Sequence, residues 1–232
     1  MKNKWRYNAI KKLVTFDEFE KTKLSIDKIV PQRRNIRILL IDDEANFIPD
    51  ALKRIDYINV THIKDFTKTD DLENYQVILC DIHNIGTDLH KDQQGLAVYK
   101  QIKKIYPYKI VALYSAHNPN DFGHVTSDDI VINKPVEPTE LANKIDKITE
   151  RFWQPKTAWK YIETESINKQ LNHREIAIIE DMFVRSFLNN QNNQFEFYKK
   201  NVAYSDRILE LISLGSDIIS ILLKIAPNFI QK

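Results

Sequence analysis

Four consecutive apolar residues, Ile38-Leu39-Leu40-Ile41, run directly into Asp42-Asp43-Glu44. So short an unbroken apolar run fits a strand buried on both faces of a parallel sheet better than an amphipathic helix. Such a strand needs covering elements on each side, so the sequence after it should alternate strands with crossovers. The carboxylates at its C-terminal end fall where open α/β sheets keep their ligands, in the crevice beyond the strand ends. Alone the motif is weak, because a strand also stops at acidic residues where the chain meets water.

The alternation is present from Asn35 onward. Residues 37–41 form the first expected strand, and 46–56 a helix with Pro49 in its first turn. Residues 58–63 alternate apolar and polar, the pattern of an edge strand. Residues 77–80 and 110–114 are further buried strands, and 130–132 the last. Gly95 to Ile105 reads as a helix with Leu96, Val98, Tyr99, Ile102 and Ile105 on one side, stopped by Pro107. Pro138-Thr139-Glu140 opens another, running to about residue 148. Five strands joined in this way predict an α/β domain at 35–150. Its expected form is a flavodoxin-like doubly wound parallel sheet of order 2-1-3-4-5, with right-handed crossovers.

The residues that end the buried strands are chemically consistent. The first strand ends in Asp42-Asp43, the next in Asp81, the next in Ser115 and the last in Lys134. In a doubly wound sheet these ends share one crevice. Three crowded carboxylates repel one another unless a cation sits among them. Mg²⁺ suits them, because it takes carboxylate oxygens and keeps waters for a phosphoryl group. A lysine and a hydroxyl opposite suit the oxygens of a transferring phosphoryl, which makes Asp81 the candidate nucleophile and an aspartyl phosphate its product.

On the acidic pair Asp42-Asp43, the acceptor position Asp81, Ser115-Ala116 and Lys134-Pro135, each after its strand, residues 35–150 resemble the receiver domain of two-component response regulators. The separations of 38, 34 and 19 residues along Asp43, Asp81, Ser115 and Lys134 are compatible with that family. The resemblance implies that Asp42, Asp43 and Asp81 bind Mg²⁺ and that Asp81 takes phosphate from a histidine kinase or phosphotransfer protein. It also implies that Ser115 and Lys134 contact the phosphoryl group, and that the peptide before Pro135 is cis. The chain departs from the family in a long loop after Asp81 without the usual proline. The fourth helix is reduced to the polar stretch 118–129, and Val131 stands where an aromatic switch residue is common. His83 and His117 lie two residues beyond Asp81 and Ser115, as exposed loop histidines or as groups that influence loss of the phosphate.

Strand signals cease after Arg151. Residues 152–157 read as a linker with aromatic anchors, and helices are expected beyond it at about 159–170, 173–189 and 195–226, with a polar connector at 189–194. The last helix spaces Ile208, Leu211, Gly215, Ile218, Leu222 and Ile225 by threes and fours, the seam of either an intrachain bundle or a homodimer through 195–226. Residues 151–232 therefore read as a helical interaction or dimerisation module contacting a downstream protein. Residues 1–34 carry ten Lys/Arg against four Asp/Glu, an accessory basic arm packed on the main domain or docking an acidic partner. Within it Thr15-Phe16-Asp17-Glu18 has capping-box spacing.

A net charge of only +2, and no helix-turn-helix in 151–232, argue against nucleic acid as partner. No second catalytic set appears, so no output enzyme is expected. Cys80 is the only cysteine and reads as a small core residue, and His173 reads as a surface histidine opening a helix. The basic start leads into no apolar stretch, and Glu210, Asp217 and Lys224 interrupt the most apolar segment. No leader and no membrane span are therefore expected, and the cytoplasm is the expected location. Two alternatives to a phosphorylated switch remain: a receiver-like scaffold or phosphate sink, and a divergent DNA-binding regulator.

Overall fold

The computed structural model describes residues 13–18, 31–44, 47–67, 72–134, 136–188 and 206–225. The expected polar connector at 189–194, the start of the last expected helix and Pro135 lie outside these residues. The chain divides into two compact units, residues 31–149 and a second made of residues 1–30 and 150–232.

The first unit is a five-stranded, all-parallel sheet: β1 (Arg37–Ile41), β2 (Asn59–Ile63), β3 (Val77–Cys80), β4 (Ile110–Ser115) and β5 (Ile130–Asn133). Its order is β2-β1-β3-β4-β5, the flavodoxin-like 2-1-3-4-5 arrangement. Every residue of β3 and β4 is buried, as is β1 after Arg37, whereas β2 alternates as an edge strand does. The register places Ile41 opposite both Ile63 and Cys80, Cys80 opposite Leu113, and Ser115 opposite Asn133. The strand ends, and the residues just beyond them, therefore lie side by side.

Helices α1 (Ile48–Lys53) and α2 (Gln94–Ile105) join β1 to β2 and β3 to β4, and α3 (Pro138–Phe152) follows β5. α1 starts with Pro49 in its first turn and is shorter than the expected 46–56, because the chain turns left-handed at Asp56 (φ 72°). α2 buries Leu96, Val98, Tyr99 and Ile102 against Leu39, Ile41, Ile78, Cys80, Val111 and Leu113 of the sheet. Ile105, expected on that face, is instead 54% exposed. Ile38, Leu40, Leu79 and Ala112, which alternate with these sheet residues and so point to its opposite side, are equally buried. Both faces are covered.

One crossover is reduced, and a second has no helix among its described residues. Between β4 and β5 only a 3₁₀ turn forms, Pro119–Asp121, as the polar stretch 118–129 predicts. This loop is fastened through Asp129, which accepts hydrogen bonds from Tyr99 Oη (2.7 Å), Lys103 Nζ (2.8 Å) and the Thr126 amide (2.9 Å). Between β2 and β3 no helix forms among the described residues; Phe66 and Leu72 cover the sheet there. The buried Lys109 gathers that segment, its ammonium donating to the carbonyls of Leu72, Glu73 and Tyr75. A lysine bonded to three carbonyls does for this loop what a helix would do through its own ladder.

In the second unit α4 (Pro155–Asn168), α5 (His173–Leu188) and α6 (Asp206–Ile225) pack on one another. α3 runs on to Phe152 and α4 opens at Pro155, so the linker expected at 152–157 shrinks to Trp153-Gln154. Pro155 fits a first helical turn, where its missing N–H is not needed. Asn172 and Glu175 form a capping box at the start of α5. Asn172 Oδ1 accepts from the Arg174 and Glu175 amides (3.0 Å each), and Glu175 Oε2 accepts from the Asn172 amide (2.9 Å). The α6 seam residues Ile208, Leu211, Gly215, Ile218, Leu222 and Ile225 are all buried within the single chain. Of the N-terminal arm, Phe16 is buried with its ring 6.4 Å from that of Phe183, and the Val14 and Phe16 amides donate to Asp181 and Glu180 of α5. Thr15 Oγ1 accepts from the Glu18 amide, the capping bond its spacing predicts. No helix of the described residues is long and apolar enough to cross a membrane.

Candidate functional site

The parallel ladder carries Asp42 and Asp81 just beyond β1 and β3: the Asp42 amide donates to Ile63 O (3.0 Å) and the Asp81 amide to Ile41 O (2.9 Å). Both acids are buried, Asp42 completely and Asp81 to 6% exposure. Lys134, just past β5, reaches across them. Its ammonium lies 2.7 Å from Asp42 Oδ2 and 2.6 Å from Asp81 Oδ2. Burial by itself would lower the Lys134 pKa, but hydrogen bonds and attraction to the two carboxylates outweigh it and raise the value. Asp43, half-buried, completes an acidic triad. One oxygen from each of Asp42, Asp43 and Asp81 lies within 4.8 Å of the others.

The triad offers only carboxylate oxygens, the donor set of a hard divalent cation, so its residues fit such an ion. Ser115 is buried at the end of β4, its carbonyl accepting from the Lys134 amide (2.9 Å) and its Oγ from the His117 amide (3.2 Å). All five residues expected at the strand ends, Asp42, Asp43, Asp81, Ser115 and Lys134, thus reach one edge of the sheet.

Among the neighbours, Tyr114, His62 and Asn84 carry no legible sequence signal. Tyr114 is buried beneath Lys134, with the ammonium 4.8 Å from its ring centre, a favourable cation–ring contact; burial raises the phenol pKa. His62 Nε2 lies 2.7 Å from Asp42 O and must carry the hydrogen there, since a carbonyl only accepts. Asn84 donates from Nδ2 to Asp43 Oδ2 (2.8 Å). His83 and His117, from loops after two neighbouring strands, stack with ring centres 5.0 Å apart at 18°, and Phe122 meets His117 edge-on. Cys80 is fully buried, its Sγ directed at Asp81 O; burial pushes the thiol pKa far up, which suits an inert core residue.

No family model and no curated protein sequence matches the chain. Among solved structures, the chain is similar to a response regulator from Thermotoga maritima, at 16% identity and a TM-score of 0.31, over 49% of this chain and 96% of that one.

Proposed function

We propose that residues 35–150 act as a receiver-like domain that accepts a phosphoryl group on Asp81, and that the chain signals through protein–protein contacts. The observation that carries this reading is the bridge of Lys134 to both Asp42 and Asp81, with Asp43 beside them, built from the ends of three separated strands. Mg²⁺ held by Asp42, Asp43 and Asp81 would neutralise the phosphoryl oxygens. An Asp81 carboxylate oxygen bonds to phosphorus while the bond from phosphorus to the donor's imidazole nitrogen breaks. The electron pair leaves with that nitrogen, which is protonated from solvent. Lys134, already at hydrogen-bond distance from Asp81, turns to the arriving oxygens, with Ser115 at the neighbouring strand end. The donor is a histidine kinase or phosphotransfer protein in the cytoplasm. Residues 151–232 form the helical module that meets a downstream protein or a second copy, and 1–34 the accessory arm.

The test is labelling of the full chain by acetyl phosphate with Mg²⁺, against Asp81→Asn. Loss of label in the variant is expected; undiminished label refutes the reading. The reduced β4–β5 crossover and the exposed Val131 favour a second reading, a receiver-like scaffold that binds partners without switching. Equal partner affinity with and without beryllofluoride would select it.

A further inference from the structure

We propose that Asn84 is a positioning residue that sets the Asp43 carboxylate and, through Gln94, ties the acidic triad to the first turn of α2. This rests on the reading of the triad as a cation site.

The three acids are held unequally. Asp42 and Asp81 share Lys134, and each also accepts a local amide, from Glu44 (3.2 Å) and Ile82 (2.6 Å) respectively. Asp43 lies outside that arrangement, and its carboxylate accepts from Asn84 Nδ2 through Oδ2. That bond leaves Oδ1 of Asp43 for a cation and fixes the plane of the group, which is the task of an outer partner in a metal site.

Asn84 is itself held in an unusual conformation. Its φ is 58°, a left-handed value that asparagine tolerates better than most residues. Its backbone N–H donates to Gln94 Oε1 (2.8 Å), and Gln94 is left-handed too, at φ 46°. Glutamine has no local bond that favours this region, so its surroundings must hold it there. The Gln94 amide donates to His90 O (2.8 Å), and the next amide, Gly95, donates to Ile82 O (2.9 Å). A Cβ at Gly95 would sit 1.9 Å from Asp81 O, so the start of α2 rests directly on the peptide of Asp81. Two left-handed residues ten positions apart, joined side chain to backbone, form an amide chain from Asp43 to α2. A shift of Asp43 toward a cation pulls on Asn84 and so on Gln94. This gives the long loop after Asp81 a task in a chain whose β4–β5 crossover has only a 3₁₀ turn.

The experiment is calorimetric titration of the full chain with Mg²⁺, together with amide hydrogen exchange over residues 94–98 with and without the ion. Asn84→Gly removes the amide and keeps the backbone conformation free of strain. It is expected to weaken Mg²⁺ about tenfold, in the range of outer-partner substitutions. Gln94→Gly is expected to weaken Mg²⁺ by less than Asn84→Gly does and to abolish the Mg²⁺-dependent change in exchange at 94–98. Asp43→Asn is the control for the underlying reading. Unchanged Mg²⁺ affinity in Asp43→Asn overturns the cation site itself. Weakened binding in Asp43→Asn with parent-like affinity in Asn84→Gly overturns the role of Asn84 alone, as does an exchange response that survives Gln94→Gly.

Discussion

Lys134→Met tests whether one ammonium holds two buried anions in place. The lysine side chain is 16% exposed, and those of Asp42 and Asp81 are 0% and 8% exposed. At the 2.7 Å separation and an effective dielectric of about 20, each attraction is roughly 6 kcal/mol, so the pair totals about 12 before desolvation. Stripping water from three ions costs several kcal/mol apiece, which removes most of that gain. The net worth of the arrangement is therefore small, but breaking it from one side leaves two carboxylates buried without compensation. The expected loss is about 3–5 kcal/mol, a large part of the stability of an ordinary domain. The raised Lys134 pKa means its contribution is whole below the ordinary lysine value of about 10.4 and is lost only as pH rises through the higher folded value. An assay near neutral pH therefore reads all of it. Urea unfolding in EDTA, monitored by circular dichroism, measures the loss without a cation standing in for the lysine. Adding Asp42→Asn to Lys134→Met should recover at least about 1 kcal/mol, because one of the orphaned charges is gone. A loss below about 1 kcal/mol for Lys134→Met, or a double variant less stable than the single one, refutes the reasoning.

Gly95→Ala should cost roughly 2–3 kcal/mol in urea unfolding, since the new Cβ meets the backbone of Asp81 and Ile82, which has no rotamer to give way. Lys109→Met strands the carbonyls of Leu72, Glu73 and Tyr75, with an expected loss of about 2–3 kcal/mol and faster amide exchange near residues 72–76. Burial opposes ionisation of Asp129, yet the hydrogen bonds from Lys103, Thr126 and Tyr99 outweigh it and hold its pKa well below the usual carboxylate range. Its contribution is present above the ordinary Asp value of about 3.9 and fades as pH falls through the depressed one, so Asp129→Asn should flatten the acid limb of a stability–pH profile below about pH 4. Phe16→Ala should cost about 3 kcal/mol, read as a lower unfolding midpoint, because the ring is 4% exposed and packs on Phe183.

The strands were legible because their signal is local. Ile38-Leu39-Leu40-Ile41, Val77–Cys80 and Ile110–Tyr114 are apolar without interruption, and the sheet buries them on both faces. The polar residue after each run was legible for the same reason, since a parallel register brings consecutive strand ends to one edge. Helix limits were less so. Phe152 to Thr157 looks like a linker with aromatic anchors; Trp153 is buried as an anchor should be, but Pro155 already begins α4. The periodicity of α6 marked a buried stripe without saying what covers it, and over its described residues the chain covers it with its own helices.

By itself, then, the sequence determined which segments pair into the sheet, in what order, and which reactive side chains gather at its edge. Hydrophobic runs and the residues that end them are read without knowing any partner. Only the tertiary structure decided that Lys134 spans two acids, that Asn84 takes the third, and that His83 meets His117. Those pairings depend on the paths of loops through left-handed turns such as those at Asn84 and Gln94, and non-glycine residues there carry no pattern that announces the turn.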